Sequence, residues 1–122
     1  MSRTDQITKI IRSLSNNTPD VEGAAVIDND GLLIASAMPA DIDEDSVGAM
    51  GAALLGLGER IVSELERGSF ELVMIRGDNG FVILTRCGSE AVLACLASTG
   101  AKLGLIFLDL KRSAKELSSL LG

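Results

Sequence analysis

Four stretches of this chain are apolar at consecutive positions, and that excludes most ways of building a sheet. They are Ala24-Ala25-Val26-Ile27, Leu72-Val73-Met74-Ile75, Phe81-Val82-Ile83-Leu84, and the run AVLACLA from Ala91 to Ala97. A strand with water on one side alternates apolar and polar residues; these do not, so both faces of their sheet must be covered. The links Asp28-Asn29-Asp30-Gly31, Gly77-Asp78-Asn79-Gly80 and Gly88-Ser89-Glu90 are turns, too short for crossovers, and they make the strands antiparallel hairpins. The predicted strands are Val21–Asp28, Leu32–Ala37, Phe70–Arg76, Phe81–Cys87 and Ala91–Ala97. Their cover must come from helices on both sides.

Three helical stretches supply it. Ser2–Asn16 carries the stripe Ile7, Ile10, Ile11, Leu14, with Ser2 and Asp5 spaced as a capping box. Asp43–Arg67 carries Val47, Met50, Leu54, Leu57, Ile61 and Leu65 at helical spacing, acids in its first turn, and Gly68 as its stop. Lys102–Leu121 carries Leu103, Ile106, Phe107, Leu110, Ala114, Leu117 and Leu121. The predicted order is α-β-β-α-β-β-β-α. This is one domain over residues 1–122, an α/β three-layer sandwich of the α+β kind. It has a five-stranded antiparallel sheet, the central helix on one face and the terminal helices together on the other.

The central helix is unusual. It holds four internal glycines, Gly48, Gly51, Gly56 and Gly58, each costing about 0.8–1 kcal/mol relative to alanine. From Ser46 to Gly58 no charge lies anywhere round it. A helix with one wet side is polar there; this one is small and apolar instead. The expectation is a core face at Val47, Met50, Leu54 and Leu57, and a protein interface on the rest.

Bulk properties narrow the function. Net charge is −6 and aromatic residues are 2% of the chain, so neither a basic field nor a stacking platform for nucleic acid exists. No apolar run reaches the ~20 residues of a membrane span, and MSRTDQITKI has no signal-peptide core. The two cysteines, Cys87 and Cys95, make no disulfide framework; placed roughly 13 Å apart along neighbouring strands, they read as buried thiols. The chain reads as cytoplasmic. With no histidine in the sequence, the histidine-dependent catalytic sites and metal sites are excluded. Asp41, Asp43 and Asp45 start like a calcium loop, but Ser46 and Ala52 stand where its glycine and glutamate belong. Gly51 to Gly56 has phosphate-loop spacing, but Leu57 replaces the lysine. No catalytic residue, cofactor or metal is expected.

The blocks VEGAAVIDNDGLLIAS, AALLGLGERIVSELERGSFELVMI, AVLACLA and AKLGLIFLDLKRSAKEL, in this order, resemble the roadblock / dynein light-chain family over nearly the whole chain. Lacking long extensions, the chain is similar to minimal bacterial or archaeal members. The resemblance implies a sheet in the order 2-1-5-4-3 and a homodimer, with antiparallel central helices and third strands paired across the two-fold. On that placement the dimer interface is Gly48, Ala52, Leu55, Glu59 and Val62 with Phe70, Leu72 and Met74. The partner surface is Ala49, Gly56, Arg60, Ser63 and Arg67. The resemblance further implies a non-enzymatic adaptor for a small Ras-like GTPase. Members of the bacterial polarity-regulator type act as GTPase-activating proteins without an arginine finger of their own. The alternative is a structural light chain of a motor or membrane-associated complex with no GTPase contact. A small-ligand sensor is a third reading, and it requires a cavity with convergent polar groups.

Overall fold

In the computed structural model, which describes residues 1–122, the chain runs α1 (Arg3–Asn17), β1 (Val21–Asp28), β2 (Leu33–Ala37), α2 (Glu44–Glu64), β3 (Leu72–Gly77), β4 (Gly80–Arg86), β5 (Ala91–Ala97), α3 (Leu103–Leu121). The order of elements is the predicted one. The sheet is antiparallel throughout, in the order β2-β1-β5-β4-β3. The β4–β5 register sets Ile83 opposite Cys95, and the Cys87 N–H donates to the Ala91 carbonyl at 3.0 Å. Both follow from the three-residue turn between them.

Local chemistry fixes the ends. Ser2 caps α1: its Oγ accepts the Asp5 N–H at 3.1 Å, and the Asp5 carboxylate accepts the Ser2 N–H at 3.4 Å. Asp43 caps α2, accepting the N–H groups of Asp45 and Ser46 and the Ser46 hydroxyl. The Ser46 hydroxyl is the main cause that holds the Asp43 carboxyl below its usual pKa, with the Ser46 N–H next. In the first hairpin, Asp28 Oδ1 accepts from the N–H groups of Asp30 and Leu32, both at 2.9 Å, and Gly31 takes the left-handed φ of +90°.

One end differs from the sequence reading. α2 stops at Glu64, not Arg67, and Gly68 is not its terminating residue. Glu66 adopts φ +55°, its N–H donates to the Ser63 carbonyl, and the Arg67 N–H donates to Val62 at 2.7 Å. That is a Schellman closure with glutamate in the place usually held by glycine. Phe70 then lies outside β3, its side chain buried against α2.

The helices divide as predicted. α1 and α3 pack on one sheet face and on each other, and α2 covers β1 and β2 on the other. The two cores are unequal. The one under α1 and α3 holds 17 buried residues, including Ile7, Ile11, Ile83, Leu93, Leu110 and Leu117. The one under α2 holds six: Ile27, Leu55, Phe70, Leu84, Val92 and Ala94. At roughly 1.5–3 kcal/mol per fully buried large side chain, α2 is far more thinly anchored than the opposite layer.

Candidate functional site

α2 carries only three buried residues, Gly48, Gly51 and Leu55. Two are glycines because the helix comes down close on what lies beneath it, backbone at Gly48 and a side chain at Gly51. A β-carbon on Gly48 would overlap the Gly31 carbonyl oxygen, and one on Gly51 would lie 2.9 Å from Ile27 Cδ1. Gly58 rests on the Phe70 ring in the same way.

This changes two assignments made from the sequence. The flank given to a partner helix (Gly48, Ala52, Leu55, Glu59, Val62) is the side facing this chain's own sheet and first hairpin. Leu55 is 2% exposed, Val62 packs on the core under α2, Ala52 sits beside Gly31, and Glu59 pairs with Arg86 at 3.1 Å. Phe70 is likewise interior. The stripe given to the core belongs to it only in part: Val47 and Leu54 pack on the core under α2, and what is left in the open is Met50, 64% exposed, Leu57, 54%, Ile61, 48%, and Leu65, 62%. At about 100° per residue, that stripe is centred roughly 110° round the helix from the buried glycines. The glycine face contributes no hydropathy, so periodicity points to the exposed stripe.

The stripe turns toward the free edge of the sheet. Gly58 neighbours it round the helix and touches Phe70, which leads into β3. β3 is an edge strand. Its residues alternate: Val73 and Ile75 lie on the α2 side, opposite Leu84 and Val82, whereas Leu72 and Met74 lie on the α3 side, opposite Thr85 and Ile83. Ile75, absent from the residues expected at an interface, is 49% exposed. It continues the apolar surface of α2, and the strict alternation of a strand is the signal that selects it over Met74.

Ala49, Gly56, Arg60 and Ser63 are exposed on a third face of α2, and Arg67, also exposed, lies beyond the end of the helix. Arg60 meets Glu64 at 2.8 Å on the surface, a pair worth little to stability. An open groove of about 840 Å³ separates α1 from α3, but only 4 of its 14 lining residues are hydrophobic. The Thr18 hydroxyl donates there to Asp109 at 2.7 Å, and Arg112 pairs with the same carboxylate. These polar groups are spent on each other, and the groove is not an apolar ligand pocket. Both thiols are buried, and burial pushes each up to about 12, so neither is a nucleophile near neutrality. No helix is long and apolar enough to cross a membrane.

The fold is therefore a sandwich whose thin layer leaves one helix face and one sheet edge unfilled. What it leaves open is apolar surface along α2 and a free backbone edge along β3. Residues 7–97 match the Roadblock/LC7 domain family. Uncharacterised proteins of Methanocaldococcus jannaschii are similar: one is 36% identical over 105 residues, covering 86% of this chain and 91% of its own, and another is 37% identical with 86% and 88% covered. The chain belongs to the Roadblock/LC7 family. Among solved structures, MglB in a tetrameric arrangement matches with a TM-score of 0.90 at 18% identity, over 98% of this chain and 90% of that one. Myxococcus xanthus MglB gives 0.88 at 22%, over 94% of each. A Roadblock/LC7 domain from Streptomyces avermitilis gives 0.87 at 20%, over 93% and 96%. At these identities the likeness speaks for the fold.

Proposed function

We propose that this chain is a homodimeric, non-enzymatic adaptor that binds a small Ras-like GTPase. One observation carries the dimer: Met50, Leu57, Ile61 and Leu65 are exposed beside an unpaired edge strand with Ile75 on the same side. Apolar surface of that kind marks an interface, and a free edge is an aggregation hazard unless paired. Pairing the two β3 strands about a two-fold brings the two α2 stripes together as one isologous contact. Family membership supports the GTPase, with GTPase activation as its finer form.

In that dimer Ala49, Gly56, Arg60 and Ser63 face outward from both central helices, with Arg67 just past the helix end, a shallow strip with charge toward one end. A GTPase across the two-fold meets two copies, so one GTPase per dimer is expected. Its switch regions are the contact, because they differ between nucleotide states. The test is titration of a small Ras-like GTPase, GTP- and GDP-loaded, against wild type and Ala49→Glu. The adaptor reading expects different affinities for the two states and weaker binding by the variant. Equal binding in both comparisons leaves the structural light-chain reading instead.

A further inference from the structure

The opposite sheet face has an opening of its own. α3 lies over β4 and β5, α1 over β1 and β2, and no helix covers β3 on this side. Leu72 and Met74 point into the gap, 40% and 38% exposed. The side of α3 turned away from α1 forms its wall. The α3 residues facing α1 are Asp109, Arg112, Ser113, Glu116, Ser119 and Leu120, so the far side carries Phe107 and Lys111, one turn apart, with exposed Leu108 and Lys115 at its rim.

The charge of this strip runs against that of the chain. The protein carries −6 overall, yet the apolar floor here is bordered by Lys111, Lys115 and Arg76. None of the three is in an ion pair; all three ion pairs lie elsewhere. Arg76 stands over the Phe81 ring at 5.7 Å and keeps its charge free for a partner. Glu71, two residues before Val73, falls on the other sheet face by alternation.

The dimensions fit one helix. Strands are about 4.8 Å apart, so an axis running along the outer edge of β3 stands about 10 Å from α3, close to the spacing of packed helices. In the homodimer proposed above, that edge is the two-fold line. The second protomer then closes the slot with its own Leu72, Met74 and Lys111. Strand pairing uses backbone groups only and leaves these side chains exposed.

We propose that this slot, on the face away from α2, docks one acidic amphipathic helix of a partner protein per dimer. The proposal rests on the dimer reading, and the two fail separately. Sedimentation of the full chain comes first; a monomer overturns the dimer and the shared slot with it. The dimer is then titrated with a synthetic helix of about 18 residues, leucine on one face and glutamate on the other. Its twin with lysine for glutamate, and phosphatidylserine–phosphatidylcholine vesicles, are the other arms.

The acidic peptide is expected to bind at one per dimer and to shift the amide resonances of Leu72, Met74, Phe107 and Lys111. The exposed double variant Lys111→Glu/Lys115→Glu is expected to bind it at least about tenfold more weakly and to accept the basic twin instead. A dimer that ignores the acidic peptide overturns the slot alone. So do equal binding of the basic twin by wild type, shifts confined to α2, or an unchanged affinity of the variant. Vesicle binding without peptide binding makes the surface a lipid-facing one and also overturns it.

Discussion

The α-carbon of Gly48 lies so close to the carbonyl of Gly31 that no β-carbon fits between the helix α2 and the first hairpin turn. Gly31 itself sits at φ +90° and has the Gly48 carbonyl 3.1 Å from where its own β-carbon would be. The pair sets how deep α2 sits. Gly48→Ala gains about 0.8–1 kcal/mol of helix propensity and must push backbone from backbone, which costs about 1–3 kcal/mol in a packed site. Urea unfolding is expected to show a net loss, a lower midpoint at unchanged slope. Gly56→Ala is the control: nothing lies within 4 Å of its added β-carbon, and it is expected to stabilise by up to about 1 kcal/mol. Equal effects of the two substitutions would show that the contact with Gly31 is not what selects glycine.

Leu55 and Leu57 separate the two uses of α2. Leu55 is the one large side chain of the helix buried in its own core. Leu55→Ala is expected to cost about 2–5 kcal/mol of stability. Leu57 and Ile61 are about half exposed, so Leu57→Glu/Ile61→Glu is expected to leave the fold of the monomer intact. It is expected to halve the mass seen in sedimentation, because two carboxylates then face two others across the two-fold. A double variant that still sediments with wild type would place the dimer contact elsewhere.

The sequence revealed the elements, the two-sided cover of the sheet and the β4–β5 register, because each rests on local rules of period and turn length. The orientation of α2 was hidden for a physical reason. Periodicity finds where apolar side chains cluster, and Met50, Leu57 and Ile61 do cluster. The side of α2 on its own sheet is instead selected for closeness, which Gly48, Gly51 and Gly58 supply and which no hydropathy scale registers. An apolar stripe on a helix that also carries a glycine face has two candidate inner sides. Only the contacts of Gly31, Ile27 and Phe70 with the glycines say which belongs to the monomer. Ile75 was missed for a related reason: a run apolar at every position leaves the choice of face to the register.

Glu66 holds the left-handed position of the α2 terminus at φ +55°, where an L side chain costs about 1–2 kcal/mol. Glycine avoids that strain but gives the unfolded chain more freedom. Glu66→Gly is expected to raise stability by up to about 1 kcal/mol, read as a higher thermal midpoint, with no change in oligomeric state. A loss would mean that the glutamate side chain contributes something the backbone account omits.

Cys87 and Cys95 give the fold a defined alkaline limit. Burial pushes each thiol up from 9.0 to about 12, with the charge of the adjacent Arg86 drawing Cys87 slightly back. The folded protein therefore keeps its protons where the unfolded chain loses them. The sign follows from linkage: the contribution is present in full below pH 9.0 and shrinks between 9 and about 12, by about 1.4 kcal/mol per pH unit for each thiol. Stability measured in urea at pH 8, 9, 10 and 11 is expected to fall progressively more steeply for wild type than for Cys87→Ala/Cys95→Ala. That variant starts lower at pH 8, because it loses buried packing volume, but has a flatter slope. Reaction of wild type with a thiol reagent at pH 8 is expected to await unfolding, so its rate rises with urea. Prompt labelling of either thiol in the native protein, or parallel pH slopes for the two proteins, would show that the thiols are not shielded as their burial requires.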